Sequence, residues 1–66
     1  MPKKIRELKS MLRKAGWYLL PGGGKGSHSK WKHGQIERTI ILSGDDGDDA
    51  RWYQEKEVIK AVREAK

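Results

Sequence analysis

No cysteine occurs in this chain of 66 residues. Without disulfides or a thiolate zinc site, a domain of this size depends on one apolar core, and it buries only about 60% of the surface that the unfolded chain exposes. Three Trp, two Tyr and clustered Ile, Leu and Val provide the material for that core. We therefore expect residues 1–66 to form a single small domain, and the lack of cysteine favours the cytoplasm as its compartment.

Basic residues are concentrated in the first part of the chain. Residues 1–38 contain ten Lys/Arg and two Glu and carry +8, whereas residues 39–66 contain five Lys/Arg and seven Asp/Glu and carry −2, which together give the net charge of +6. A basic half of this kind favours a polyanionic partner. Nucleic acid is the leading candidate, and an anionic membrane surface is the next. The longest uninterrupted apolar run, residues 17–20, is too short for a signal peptide or a membrane span, so we expect neither.

The first fifteen residues have the apolar period of a helix. The pattern predicts an amphipathic helix over residues 2–15 with a basic outer face. Gly16 directly follows and is expected to end the helix in the left-handed conformation. The apolar positions are Ile5, Leu8, Met11, Leu12 and Ala15.

Three segments in the middle of the chain read as strands, over residues 17–20, 27–33 and 38–43. Side chains alternate along a strand, so the second segment places two sets of residues on opposite faces. Because a Trp belongs against the core, the face without Trp31 is expected to meet solvent. That face carries His28, Lys30 and Lys32, and the other carries Ser29, Trp31 and His33.

An acidic loop, residues 44–49, leads to a final predicted helix over about residues 52–65. Asp48 or Asp49 is expected to cap that helix. Its predicted inward side chains are Val58, Ile59, Val62 and Ala65. The resulting fold class is α+β, in the order α-β-β-β-α, with a three-stranded antiparallel sheet and both helices on one face.

His28 is the candidate for acid–base chemistry. It follows a glycine-rich basic loop that allows backbone amides to approach an anion, and it shares a strand face with two lysines. Cleavage of RNA by its own 2′-hydroxyl needs a proton acceptor, a proton donor and positive charge at the phosphate. An ordinary surface histidine is the competing interpretation.

Other features carry weaker signals. His33 lies five residues from His28, so a regular strand places the two rings on opposite faces, and we interpret His33 as structural or peripheral; a β-bulge would defeat that parity argument. The glycine loop lacks the spacing of a P-loop. With no cysteine and two separated histidines, we expect no transition-metal site and no cofactor.

Several motifs in the first half resemble those of HicA toxins of toxin–antitoxin systems. They are the run from Lys14 to Trp17, the sequence Gly26-Ser27-His28, and the Trp31 and His33 that follow. The second half departs from the family pattern, because Gly34 stands where many members have Pro and the third strand lacks the usual Pro and His.

The resemblance implies a fold similar to the double-stranded RNA-binding domain, an mRNA-cleaving activity that is independent of the ribosome, and a HicB-type antitoxin as partner. It also implies that His28 is the catalytic residue. We expect the RNA contacts at Lys25, Ser27, Lys30, Lys32, Lys9 and Arg13. Two other functions stay open, namely a non-catalytic RNA-binding module of the same fold and an adaptor whose basic face meets an acidic protein.

Overall fold

The computed structural model describes residues 3–21 and 28–65. Its elements follow the predicted α-β-β-β-α order, which is confirmed. No helix within these ranges is long and apolar enough to cross a membrane. The elements are α1 (Ile5–Lys14), β1 (Tyr18–Leu19), β2 (His28–His33), β3 (Ile36–Ser43) and α2 (Trp52–Glu64).

The sheet has the order β1-β2-β3, with both neighbouring pairs antiparallel. β2 is therefore the central strand, and two residues connect it to β3. β1 is shorter than the predicted 17–20, whereas β3 begins at Ile36, two residues before the predicted start. A register shift between Lys32 and His33 marks an irregularity at the end of β2 next to the turn.

Both helices pack on one face of the sheet. The inward side chains of β2 and β3 include Trp31, Ile40 and Leu42, all almost fully buried. Alternation along the strands places these three on the same face. Helix residues complete the core on that side, and the prediction of both helices on one face is confirmed. The buried helix residues are Ile5, Leu8, Leu12, Val58 and Ala61.

The two buried indole rings have hydrogen-bond partners. Trp17 Nε1 donates to the Ala61 carbonyl at 3.3 Å, and Trp31 Nε1 donates to Ser29 Oγ at 3.0 Å. A buried donor without a partner costs about 1–3 kcal/mol, so these bonds allow large aromatic side chains in a small core. The first bond also ties the residue directly before β1 to α2.

Gly16 ends α1 as predicted. Its φ of +96° lies in the left-handed region, where L side chains are strained. A Cβ at this position would lie 3.0 Å from His33 Nε2. Both the backbone conformation and the close approach of the imidazole therefore require glycine here.

The predicted cap of α2 is wrong. Neither Asp48 nor Asp49 is the N-cap; that position belongs to Arg51. The Gln54 side chain accepts the Arg51 N–H at 2.8 Å, and the Gln54 N–H donates to the Arg51 carbonyl at 3.0 Å. The side chain of Gln54, the third residue of the helix, thus reaches back to the N-cap amide, and no aspartate is needed there.

The acidic loop instead serves the start of α1. Ile5 N–H donates to the Asp48 carbonyl at 2.9 Å, and Arg6 N–H donates to the Asp46 carbonyl at 3.2 Å. The first amides of a helix have no partner inside it, and the N-cap Lys4 has no side-chain acceptor, so backbone carbonyls of the loop satisfy them. The physical reason for the correction is that the loop lies against the first turn of α1, where its carbonyls meet the free amides, while the Asp48 carboxylate accepts the Asp45 N–H and the Asp49 carboxylate pairs with Lys4.

One predicted core residue of α2 is also misplaced. Ile59 is 38% exposed, whereas Ala61 and Gln54 are buried with Val58. Val62 and Ala65 are partly buried against the core. At about 100° per residue, Ile59 falls outside the arc of the helix that contains its buried positions.

Candidate functional site

The face of the sheet opposite the helices carries the predicted site. His28 and Lys30 point outward and are exposed, and Lys32 on the same face is half-buried. Trp31, between the two lysines in sequence, is completely buried on the helix side. The period-two pattern of β2 therefore places an imidazole and two ammonium groups in one outward-facing row. We call this side of the sheet, away from the helices, the open face.

The register of the sheet adds neighbours to this row. His28 lies opposite Ser43, and Lys30 lies opposite Ile41, which is 54% exposed. At the other end of the row, Lys32 lies between Thr39 of β3 and Tyr18 of β1. The open face thus combines cations, hydroxyl groups and one aromatic ring.

His28 and Ser43 form a closely spaced cross-strand pair. Leu20 N–H donates to the Lys30 carbonyl at 2.9 Å, so the backbone groups of Lys30 face β1 rather than β3. The backbone N–H and C=O groups of His28, two residues earlier, point toward the same side as those of Lys30. His28 therefore forms no backbone hydrogen bond with Ser43, and the two are a non-hydrogen-bonded pair. In such pairs the Cα atoms lie about 4.5 Å apart and the side chains are closer than in the alternate pairs.

Ser43 is held in place from the helix layer. The buried Gln54 Nε2 donates to the Ser43 carbonyl at 3.0 Å and lies 3.4 Å from Ser43 Oγ. Gln54 belongs to the first turn of α2, so the N-terminal end of that helix is fixed beside the strand end that faces His28. Sequence reasoning missed Ser43, because three consecutive apolar residues before it hide the alternation of β3.

His33 has a different environment. Its Nδ1 accepts the Gln35 N–H at 3.0 Å, and its ring stands edge-on to Trp17 with centroids 5.6 Å apart. These contacts give it a role in packing and in the turn, away from the open face. The register shift beside it does not bring the two imidazoles together.

The remaining predicted RNA contacts lie elsewhere. Lys9 and Arg13 belong to α1, in the helix layer. Lys9 Nζ is 2.6 Å from Asp46 Oδ1, and the Arg13 guanidinium stands 5.2 Å from the centroid of the Trp31 ring. Lys25 and Ser27 lie outside the described residues.

The ion pair on α1 has an electrostatic consequence. The hydrogen bond from Lys9, together with its charge, lowers the pKa of the Asp46 carboxyl below its ordinary value, and the charges of Arg13 and Arg6 act in the same direction. The charge of Lys9 is thereby engaged within the protein. Its contact with RNA stays a prediction.

The open face is suited to proton transfer next to an anion. His28 presents an exposed imidazole, a group that can accept or donate a proton, and Lys30 and Lys32 supply positive charge on the same row. Within residues 3–21 and 28–65, no group of three or more metal-ligating side chains is suitably placed to hold a metal ion.

Comparison with known protein families decides the identity. A family model described as the HicA toxin of bacterial toxin–antitoxin systems matches residues 5–63. The chain belongs to the HicA toxin family. The match runs from the first residue of α1 to the last turn of α2 and contains the whole open face of this HicA toxin.

Family membership makes the protein a toxin of a toxin–antitoxin system, with an antitoxin as its partner. The searches of curated proteins and of solved structures found no match.

Proposed function

We propose that this HicA toxin is a metal-independent endoribonuclease that cleaves mRNA at the open face, with His28 as its catalytic residue. The observation that carries the proposal is the exposure of His28 beside Lys30 on one row of a strand, inside the region that matches the family. The imidazole can transfer a proton at a phosphodiester, and the adjacent cations can stabilise the negative charge of the phosphate.

The proposed reaction is attack of the 2′-oxygen on the neighbouring phosphorus. The O2′–P bond forms, the P–O5′ bond breaks, the 2′-hydroxyl loses a proton and the leaving 5′-oxygen gains one. The products are therefore a 2′,3′-cyclic phosphate and a 5′-hydroxyl. His28 performs one of the two proton transfers, as base toward the 2′-hydroxyl or as acid toward the 5′-oxygen.

Negative charge on the phosphate is balanced by nearby lysines. Lys30 shares the row with His28 at a spacing of two residues, about 7 Å along the strand, and Lys32 is two residues further. Lys25 and Ser27, which precede β2 in sequence, are proposed as further contacts with the RNA backbone. Lys9 and Arg13 are proposed as outer contacts from α1.

We propose a HicB-type antitoxin as the protein partner. An antitoxin that covers the open face buries His28 and competes with RNA for the same lysines. The exposed Tyr18 and Ile41 on this face provide apolar area for such a contact.

The test is an RNA cleavage assay with the purified protein in excess EDTA. It compares an unmodified RNA with the same sequence carrying 2′-O-methyl groups, which have no 2′-hydroxyl proton to lose. The proposal expects cleavage of the unmodified RNA alone, with 2′,3′-cyclic phosphate and 5′-hydroxyl ends. Salt-sensitive binding of both RNAs without cleavage of either contradicts it and favours the non-catalytic RNA-binding module.

A further inference from the structure

The outer face of α2 carries a stripe of basic and apolar side chains that the proposed reaction does not use. At about 100° per residue, its members fall within an arc of about 100° around the helix, opposite the buried Gln54, Val58 and Ala61. All of them are exposed. The α2 stripe consists of Trp52, Lys56, Ile59, Lys60 and Arg63.

The charge of the α2 stripe is unbalanced. It contains three cations and no acidic residue, and none of the three is in an ion pair within the part of the chain that the structure describes. The acids of α2 lie on its flanks, where Glu64 pairs with Arg38 at 3.0 Å and Glu55 accepts the Lys3 backbone N–H at 3.4 Å. The stripe therefore presents its positive charge to solvent.

Trp52 is the most exposed aromatic residue in the described chain, at 74%. It makes a T-shaped contact with Tyr53, with ring centroids 5.9 Å apart, and most of its surface stays exposed beside that contact. The other two tryptophans, Trp17 and Trp31, are 2% and 0% exposed. A flat aromatic surface that packs on nothing in the core is available to stack on a planar ligand.

The stripe begins at the end of the molecule that carries His28. Trp52 is the first residue of α2, and Gln54, two residues later, is hydrogen-bonded to Ser43, the cross-strand partner of His28. From Trp52 to Arg63 the helix rises about 16 Å. The open face and the α2 stripe face opposite ways, so an RNA strand that leaves His28 must pass around the β3 edge of the sheet at Ser43. It then reaches Trp52 first and the three cations after it.

We propose that the α2 stripe binds single-stranded RNA beyond the cleavage site, around the β3 edge of the sheet, with a base stacked on Trp52 and phosphates bound by Lys56, Lys60 and Arg63. The inference deepens the proposed function, on which it rests, by assigning a second RNA contact and a path for the strand beyond the cleavage site. RNA fits this composition better than a protein does, because lysine is depleted at protein–protein interfaces whereas aromatic stacking with nearby cations is typical of single-strand binding.

The experiment measures binding apart from cleavage. The probe is a fluorescein-labelled 12-nucleotide RNA with 2′-O-methyl groups throughout, titrated by fluorescence anisotropy at several salt concentrations. Intrinsic tryptophan fluorescence is followed in the same titration with unlabelled probe. Because the other two tryptophans are buried, quenching by a stacked base reports on Trp52.

We expect Trp52→Ala to weaken binding about five- to 150-fold, which corresponds to the loss of one base–aromatic stack. Trp52→Phe keeps an aromatic face and is expected to restore most of the affinity. The double variant Lys56→Gln/Arg63→Gln is expected to reduce the slope of log affinity against log salt by about 0.7 for each phosphate that is no longer neutralised. Lys14→Gln, at an exposed lysine of α1, is the matched control and is expected to leave the affinity within about twofold.

Unchanged affinity of Trp52→Ala with no quenching in the parent overturns the proposal, as does a parent that does not bind the probe. If Trp52→Ala binds RNA normally but no longer forms a complex with the antitoxin, the stripe is a protein surface and the proposal is again overturned. A parent that binds the methylated probe through Trp52 yet leaves unmodified RNA intact contradicts the ribonuclease and leaves the stripe standing.

Discussion

Replacing Gly16 by alanine adds a single Cβ atom at the junction between α1 and the sheet. The residue has a φ of +96°, and the added Cβ would lie 3.0 Å from Nε2 and 3.4 Å from Cδ2 of His33. That imidazole also packs edge-on against Trp17. The substitution therefore strains the backbone and pushes the ring away from the core at the same time.

The magnitude follows from these two effects. A left-handed conformation costs an L-residue about 1–2 kcal/mol. Displacing His33 weakens an aromatic contact worth about 0.5–1.5 kcal/mol. We expect Gly16→Ala to lower the free energy of unfolding by about 2–3 kcal/mol, which for a domain of this size is a fall in Tm of roughly 10–20 °C.

Thermal and urea unfolding followed by circular dichroism measure this change. Gly34→Ala is the matched control, because a Cβ there meets nothing within 4 Å and the backbone is not left-handed. It is expected to be neutral or to stabilise by up to about 1 kcal/mol. If Gly16→Ala costs no more than Gly34→Ala, the reasoning about this junction is refuted.

Three other features of the structure give predictions of their own. Lys9 lowers the pKa of Asp46, so an NMR titration should find this pKa below the usual aspartate value. The stability that the pair contributes should be present above the unfolded pKa of about 3.9 and lost as the pH falls through the lower folded pKa. A normal pKa for Asp46 contradicts the pairing. Gln54→Ala leaves the Ser43 carbonyl and the Arg51 amide without their partner, and it should lower the free energy of unfolding in urea by about 2–3 kcal/mol. A decrease under about 0.5 kcal/mol would show that water replaces the Gln54 side chain. Lys30→Gln and Lys32→Gln should each lower the slope of log RNA affinity against log salt by about 0.7, and an unchanged slope removes that lysine from the RNA interface.

Much of the fold can be predicted from local patterns. The apolar period of α1 and the glycine at its end identify the first helix, because each signal comes from residues close in sequence. The alternation in β2 places His28 on the solvent side, since the single Trp31 fixes which face is inward. These are cases in which one side of an element is plainly apolar.

The errors arise where the answer depends on distant residues. Proximity in sequence assigns the acidic loop to α2, yet the loop caps α1, some 40 residues earlier. Only the packed structure shows that α1 needs carbonyl partners at its start. Ile59 is a plausible core residue beside the apolar Val58, but the buried arc of α2 has room for only one of them.

Part of the candidate site also lies beyond local reasoning. Ser43 follows Ile40, Ile41 and Leu42, three apolar residues that give no alternation, so the register with β2 is needed to find it opposite His28. The α2 stripe could not be predicted from the sequence for a related reason: it can be identified only once the buried side of α2 is known.

The central claim is that His28 carries out a proton transfer in RNA cleavage. The most direct measurement is the single-turnover cleavage rate of unmodified RNA in EDTA for the parent, His28→Ala and the control His33→Asn, with circular dichroism showing that each is folded. The account predicts a loss of about 100- to 10,000-fold for His28→Ala, the range of a single acid–base group, and a rate near the parent's for His33→Asn. A folded His28→Ala protein that cleaves within a few-fold of the parent contradicts it.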